Sequence, residues 1–141
     1  MANEATVRSG LSIRKDNLEY ISYPSQFLAD VAGVMGPVPG ALIVPVSGIN
    51  IDFTGLTQPA LCWMINLDET NFVTVGVSDP ETVVFYPILE LLPGECYAVR
   101  LSRNLSQELG TGTGTIGPST NTLQLRADTA SCNVRVEAFE V

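Results

Sequence analysis

The chain has 141 residues, of which 45% are hydrophobic and only 16% charged, with a net charge of −8 and no histidine. That length suits one domain able to bury a core without metal or disulfide staples, and so few charges with a mean hydropathy of +0.24 exclude a disordered chain. The seven basic residues are scattered and deny the basic footprint that nucleic acid demands, while the missing imidazole removes Ser–His–Asp and Cys–His catalysis and any zinc site built on histidine.

The opening "MANEATVRSG" lacks the basic-then-apolar pattern of a secretion signal. Residues 6–13 and 18–23 are rich in β-branched and aromatic side chains and are split by the turn-like Lys15-Asp16-Asn17, so two strands are expected. Residues 25–33 tolerate a short helix, but Phe27, Ala29 and Val31 alternate and favour a strand. "GPVPG", residues 36–40, places Pro37 and Pro39 where a ladder cannot use their nitrogens, which marks a loop or a sheet edge.

Residues 41–48 and 49–53 read as two short strands. Residues 59–67, "PALCWMINL", form a continuous apolar run closed by "DETN", the pattern of a buried strand with Trp63 in the core. In residues 72–77, Val73, Val75 and Val77 share one face; a Val75→Asp change there is expected to destroy the fold. The turns "SDPE" (78–81) and "LPGE" (92–95) flank a strand at residues 82–91, with Pro87 as a bulge or edge signal. Strands follow at residues 96–102, 122–127 and 132–141; in the last, Cys132, Val134, Val136 and Ala138 point one way. Residues 103–109 are the other helix-tolerant segment. About ten short strands separated by Gly, Pro and Asp turns predict a single all-β domain, an antiparallel β-sandwich of jelly-roll-like kind, with residues 1–8 as an N-terminal arm.

The tract "LGTGTGTIGPSTNT" contains Gly112, Gly114 and Gly117 in a G-x-G-x-x-G pattern. Dinucleotide binding needs a helix directly after such glycines, because the helix N-terminus holds the pyrophosphate. A strand pattern follows instead, and no Lys supplies a P-loop, so no cofactor is expected. The tract reads as a surface loop or as an arm ordered by a partner, and Thr111, Gly112, Thr113, Gly114 and Thr115 join Pro37 and Pro39 as expected interface residues. Deleting residues 111–115 is expected to spare folding and weaken assembly.

Other chemistry is sparse. Asp68 and Glu69, and Asp79 and Glu81, pair at turns expected at opposite ends of one strand, which suits solvated carboxylates better than a calcium site or a glycosidase pair. Tyr20, Tyr23, Tyr86 and Tyr97 offer a sugar-stacking alternative, although aromatics are only 7% of the chain, low for a lectin-like surface. Cys62, Cys96 and Cys132 contain no C-x-x-C pair and fall in strands, as small buried hydrophobes without an activating base. No catalytic, cofactor-binding or metal residue is expected, and no apolar run reaches membrane-spanning length.

Three segments carry a resemblance. "NLDETNFVTVGV" (66–77), "FYPILELLPGECYAVRLS" (85–102) and "TNTLQLRADTASCNVRVEAFEV" (121–141) resemble small virion proteins of tailed bacteriophages, in which an N-L-D-x-T-N-Y-V strand start, an F-x-P…L-x-P-G-E turn and an A-x-T-A…V…E ending occur in this order. Phe72 stands where that pattern has Tyr. The resemblance implies a non-enzymatic virion subunit made in the host cytoplasm, first of all a capsid decoration (cement) protein that forms homo-oligomers, trimers favoured, and binds the major capsid protein. A tail, neck or fibre-attachment protein is the alternative within that class; a carbohydrate-binding module or adhesin head is the alternative outside it. Neither nucleic acid nor membrane is an expected partner.

Overall fold

The computed structural model describes residues 5–31, 36–56, 59–79, 83–102 and 122–140, with backbone alone for residues 23–25. Ten strands run through these residues, and no helix does: β1 (Ala5–Lys15), β2 (Leu18–Ala29), β3 (Val38–Val44), β4 (Ile49–Asn50), β5 (Pro59–Asn66), β6 (Val73–Ser78), β7 (Phe85–Leu91), β8 (Cys96–Arg100), β9 (Thr122–Ala127) and β10 (Cys132–Glu140).

The last eight strands form the sandwich. One sheet has the order β3-β10-β5-β8 and the other β4-β9-β6-β7. The antiparallel pairs are nested, β6 with β7, β5 with β8, β4 with β9 and β3 with β10. That nesting, laid across two facing sheets, is the strand order of a jelly roll.

Alternation decides which side chains face inward. In β10, Cys132, Val134, Val136 and Ala138 are fully buried; in β6, Val73 and Val75 are; in β9, Leu123, Leu125 and Ala127 are buried. With Val44, Phe53, Met64 and Leu91 they make one continuous core between the sheets, each large side chain stabilising the fold by roughly 1.5–3 kcal/mol through burial.

Turn chemistry connects the strands as the sequence implies. At Leu92–Glu95, Pro93 precedes Gly94, whose φ of 76° is the left-handed conformation that a type II turn requires. The Glu95 amide donates to the Leu92 carbonyl at 2.9 Å, and the Leu92 amide donates to the Glu95 carboxylate at 2.9 Å. At the same end of the sandwich, the buried Asn66 donates from Nδ2 to the carbonyls of Asn71 (2.8 Å) and Leu91 (3.0 Å) and accepts from the Asp68 amide (3.0 Å). Asn66 belongs to the first sheet and Leu91 to the second, so one side chain ties the two sheets together.

Residues 36–40 are in part the sheet edge that their prolines allow: β3 is an outer strand, and its Pro39 stands opposite Glu137 of β10. The segment from residue 25 continues β2 to Ala29 as a strand. The helix-tolerant residues 103–109 lie outside the described residues.

Candidate interaction surface

β1 and β2 stand apart from the sandwich. Among the described residues they pair as strands only with each other, in a two-stranded sheet in which Ala5 faces Ala29 at one end and Lys15 faces Leu18 at the other. Asp16 turns the chain at the tip with φ of 50°. Residues 5–8 of the expected arm are therefore the first part of a much longer hairpin.

This hairpin has two unlike faces. Directly opposed residues share a face, so Val7 with Phe27 and Ile13 with Tyr20 lie on one side, together with Leu11 and Leu18. Lys15, opposite Leu18, closes that side at the tip; the other side carries Arg8 with Gln26 and Arg14 with Glu19, together with Leu28 and Ile21 opposite Thr6 and Ser12, and Arg8 Nε donates to Gln26 Oε1 at 3.2 Å. Seven of the sixteen exposed large apolar side chains among the described residues belong to the hairpin, four of them (Leu11, Ile13, Leu18 and Tyr20) on the distal part of its apolar face. An isolated two-stranded hairpin is at best marginally stable in water. An amphipathic one this long has a face built to be covered.

The base of that face is already partly covered. Ala5, Val7 and Ala29 are half-buried while Thr6 and Arg8 beside them are exposed. A cleft of about 410 Å³ lies there, lined by Val7 and Phe27 from the hairpin and by Leu61, Trp63 and Phe139 from the outer face of the first sheet, with Arg8 and Arg100 also on its wall.

Along β5 the outer face of the first sheet continues in the same chemistry, while β10 beside it turns Asn133, Arg135 and Glu137 outward, with Arg135 Nε 3.9 Å from Glu137 Oε1. β5 alternates strictly, with Cys62, Met64 and Asn66 buried and Leu61, Trp63 and Ile65 half-buried on the outside. Trp63 is therefore not a core residue, as the continuous apolar run implied; it faces outward because the strand is apolar on both sides. On β3, Ile43 is 69% exposed, and it lies opposite Asn133, on the outward side of β10. Pro39 is half-buried and Pro37 exposed at the end of the same edge strand. Thr111, Gly112, Thr113, Gly114 and Thr115 lie outside the described residues.

The second sheet turns a polar outer face to its surroundings. Asn50 Oδ1 accepts from Thr122 and from Gln124 at 3.1 and 3.0 Å, and Gln124 Oε1 accepts from Arg126 Nε at 2.7 Å. The Arg126 guanidinium lies 4.3 Å from the centre of the Phe85 ring. Gly76 sits beneath that ring, where an added Cβ would fall 2.6 Å from Phe85 Cζ and 2.3 Å from the Tyr86 carbonyl oxygen.

The remaining candidates have structural work. Asp68 accepts from the amides of Thr70 and Asn71 at 2.9 and 2.8 Å, and these bonds hold its carboxyl below the usual carboxylate range. Asp68 and Glu69 precede β6 and Asp79 follows it, at opposite ends of that strand; Glu81 lies outside the described residues. No cluster of three or more Cys, Asp or Glu side chains fit to hold a metal ion occurs among the described residues. Burial pushes the Cys62 thiol up to about 12. Cys132 is raised too, by burial first and then by the charges of Asp68 and Asp128. Cys96 departs from the expected burial: it is exposed, because β8 is an edge strand and its first residue stands at the rim. Tyr20, Tyr86 and Tyr97 lie on three different sheets, and Tyr97 donates to Glu95 Oε2 at 3.2 Å.

Comparison of the chain with protein-family models, with curated proteins and with solved structures finds no match.

Proposed function

We propose that this protein is a non-enzymatic structural subunit of a tailed-phage virion, a capsid decoration (cement) protein that self-associates and binds the shell formed by the major capsid protein. The observation that carries the reading is the hairpin of β1 and β2, whose distal apolar side chains are exposed and which pairs with no other strand among the described residues. A jelly roll serves capsid proteins and lectins alike, so the choice rests on surfaces rather than on fold. A packed core with one polar outer face, a second outer face that carries an apolar β5 row, and a projecting arm with an apolar side suits a subunit that is covered by neighbours on one side and wetted on the other. The virion-like segments fit this division: Asn66 and Asp68 of "NLDETN" and Pro93 and Gly94 of "LPGE" build the end of the sandwich that fixes its two sheets. A symmetric assembly, with a trimer favoured, multiplies weak arm contacts into firm attachment.

Exposed tyrosines spread over three sheets offer less to a sugar than one aromatic platform would, which places the carbohydrate-binding alternative behind. The test is gold-labelled antibody against the chain, applied to particles purified from the source that encodes it. Label over the capsid is the expected result. Label over the tail or neck moves the protein to the alternative position within the same class. Intact particles without label sink the virion reading.

A further inference from the structure

The arm and the apolar rows of the first sheet's outer face belong to one chain, and the arm's base already lies beside one of those rows. We infer that the distal half of the hairpin seats on the outer face of the first sheet of a second copy, with Leu11, Ile13, Leu18 and Tyr20 of one copy against Ile43 and Ile65 of the other, on either side of the outward Asn133 and Arg135 of β10. This rests on the reading of a self-associating subunit and specifies the contact that makes it so.

Three observations support a second copy as the occupant. The molecule already makes this contact within itself at the hairpin base, where Val7 and Phe27 meet Leu61, Trp63 and Phe139 across the cleft. The same two surfaces then diverge. The hairpin's distal apolar residues and Ile43 lie beyond the cleft and are exposed. The intermolecular contact thus extends a contact seen inside one chain, using the uncovered remainder of each surface.

Charge points the same way. The hairpin carries Arg8, Arg14 and Lys15 against Asp16 and Glu19, a net +1, so the rest of the chain carries −9 of the total −8. Two strongly acidic sandwiches repel one another. The hairpin adds no net negative charge to such an approach, and the β10 row it meets carries both Arg135 and Glu137.

The hairpin runs on from its base as a ribbon of eleven and twelve residues. An arm given to one neighbour and a face received from another is a head-to-tail contact, which closes into a ring when the rotation allows; an arm exchanged reciprocally between two copies makes a two-fold dimer. Native mass separates the two.

The test uses the full chain and two single substitutions, Ile13→Asp on the arm and Ile43→Asp on the receiving face. Both positions are exposed, so each variant should keep cooperative thermal unfolding; should either fail to, Ile13→Ser and Ile43→Ser replace them. Native mass is read by light scattering behind a sizing column. Wild type should associate, and each variant alone should be weakened by more than tenfold and elute as monomer. Mixed in equal amounts, the two variants should recover a species of twice the monomer mass, because one intact arm and one intact face remain between them. Neither variant should do so alone at the same total concentration. If wild type associates and neither substitution changes its mass, this contact is wrong while self-association stands. If Ile13→Asp dissociates the assembly and Ile43→Asp does not, the arm has another acceptor and the inference also fails. A wild-type monomer at every concentration overturns the contact together with self-association, and leaves particle binding to the labelled-antibody experiment.

Discussion

The two outer faces of the sandwich are built from the same alternation and finished differently. On the second sheet, Asn50, Gln124, Arg126 and Phe85 hold one another in a chain of hydrogen bonds and a cation–π contact. On the first, Leu61, Trp63 and Ile65 of β5 lie beside the base of the hairpin, and β10 next to them turns Asn133, Arg135 and Glu137 outward, between Ile65 and Ile43. Antiparallel sheets commonly bury one face and wet the other. β5 is apolar on both sides, in a sandwich where one side already makes the core, and its outer row is the part of this face that the hairpin base approaches. The difference separates the wetted side of the molecule from its covered side without reference to any ligand.

Substitutions break or sharpen this contrast in order of size. Val75→Asp, pointing into the core shared by both sheets, should abolish the sandwich and with it both faces. It places an unpaired charge at a position only 2% exposed, a cost above about 4–5 kcal/mol, and urea titration should show no cooperative transition; a soluble, cooperative variant would show the inner face misassigned. Asn66→Leu should cost about 2–4 kcal/mol, because the carbonyls of Asn71 and Leu91 and the amide of Asp68 lose their partner. Its denaturation midpoint should fall while the native mass at low temperature stays that of wild type.

Gly76→Ala attacks the finished face alone. The added methyl meets backbone as well as the Phe85 ring, so a loss of about 1–3 kcal/mol is expected, read as a lower Tm with association untouched below the transition. Arg126→Ala removes the contacts to Phe85 and Gln124 and should cost about 0.5–1 kcal/mol with no change in native mass; dissociation by this variant would put the covered side on the wrong sheet. The smallest effect is in acid. The Asp68 carboxyl is held below its ordinary value of 3.8, so its contribution is fully present above that value and is lost as pH falls through the lower, folded value. Asp68→Asn should therefore lower stability slightly at neutral pH, flatten the acid limb of the stability profile, and match wild type in strong acid.

The parts legible in the sequence are those where polarity alternates. Residues 132–138 and 73–77 announce their inner faces, and "KDN" and "LPGE" announce their turns, because local chemistry decides them. Residues 59–67 mislead for a physical reason: when both faces of a strand are apolar the alternation vanishes, and an outward tryptophan is indistinguishable from a core one. Leu11, Ile13, Leu18 and Tyr20 were readable as strand residues but not as a surface, since whether β1 and β2 join a larger sheet is decided by partners far along the chain. The β3 edge was half legible through Pro37 and Pro39. The glycine tract contributed an expectation that the described residues do not reach.

The nesting of the strand pairs has a consequence for how the molecule comes into being. β10 is not a peripheral addition; it lies in the middle of the first sheet, between β3 and β5. Until residues 132–140 have been synthesised, β3 has no neighbour to bond with and β5 has only β8. The hairpin of β1 and β2, closed by a two-residue loop, can form while most of the chain is still unmade, whereas the sheet face proposed to receive it exists only once translation has passed residue 140. Donor therefore precedes acceptor in time, and assembly waits for the synthesis of β10 rather than for the arm's first exposure.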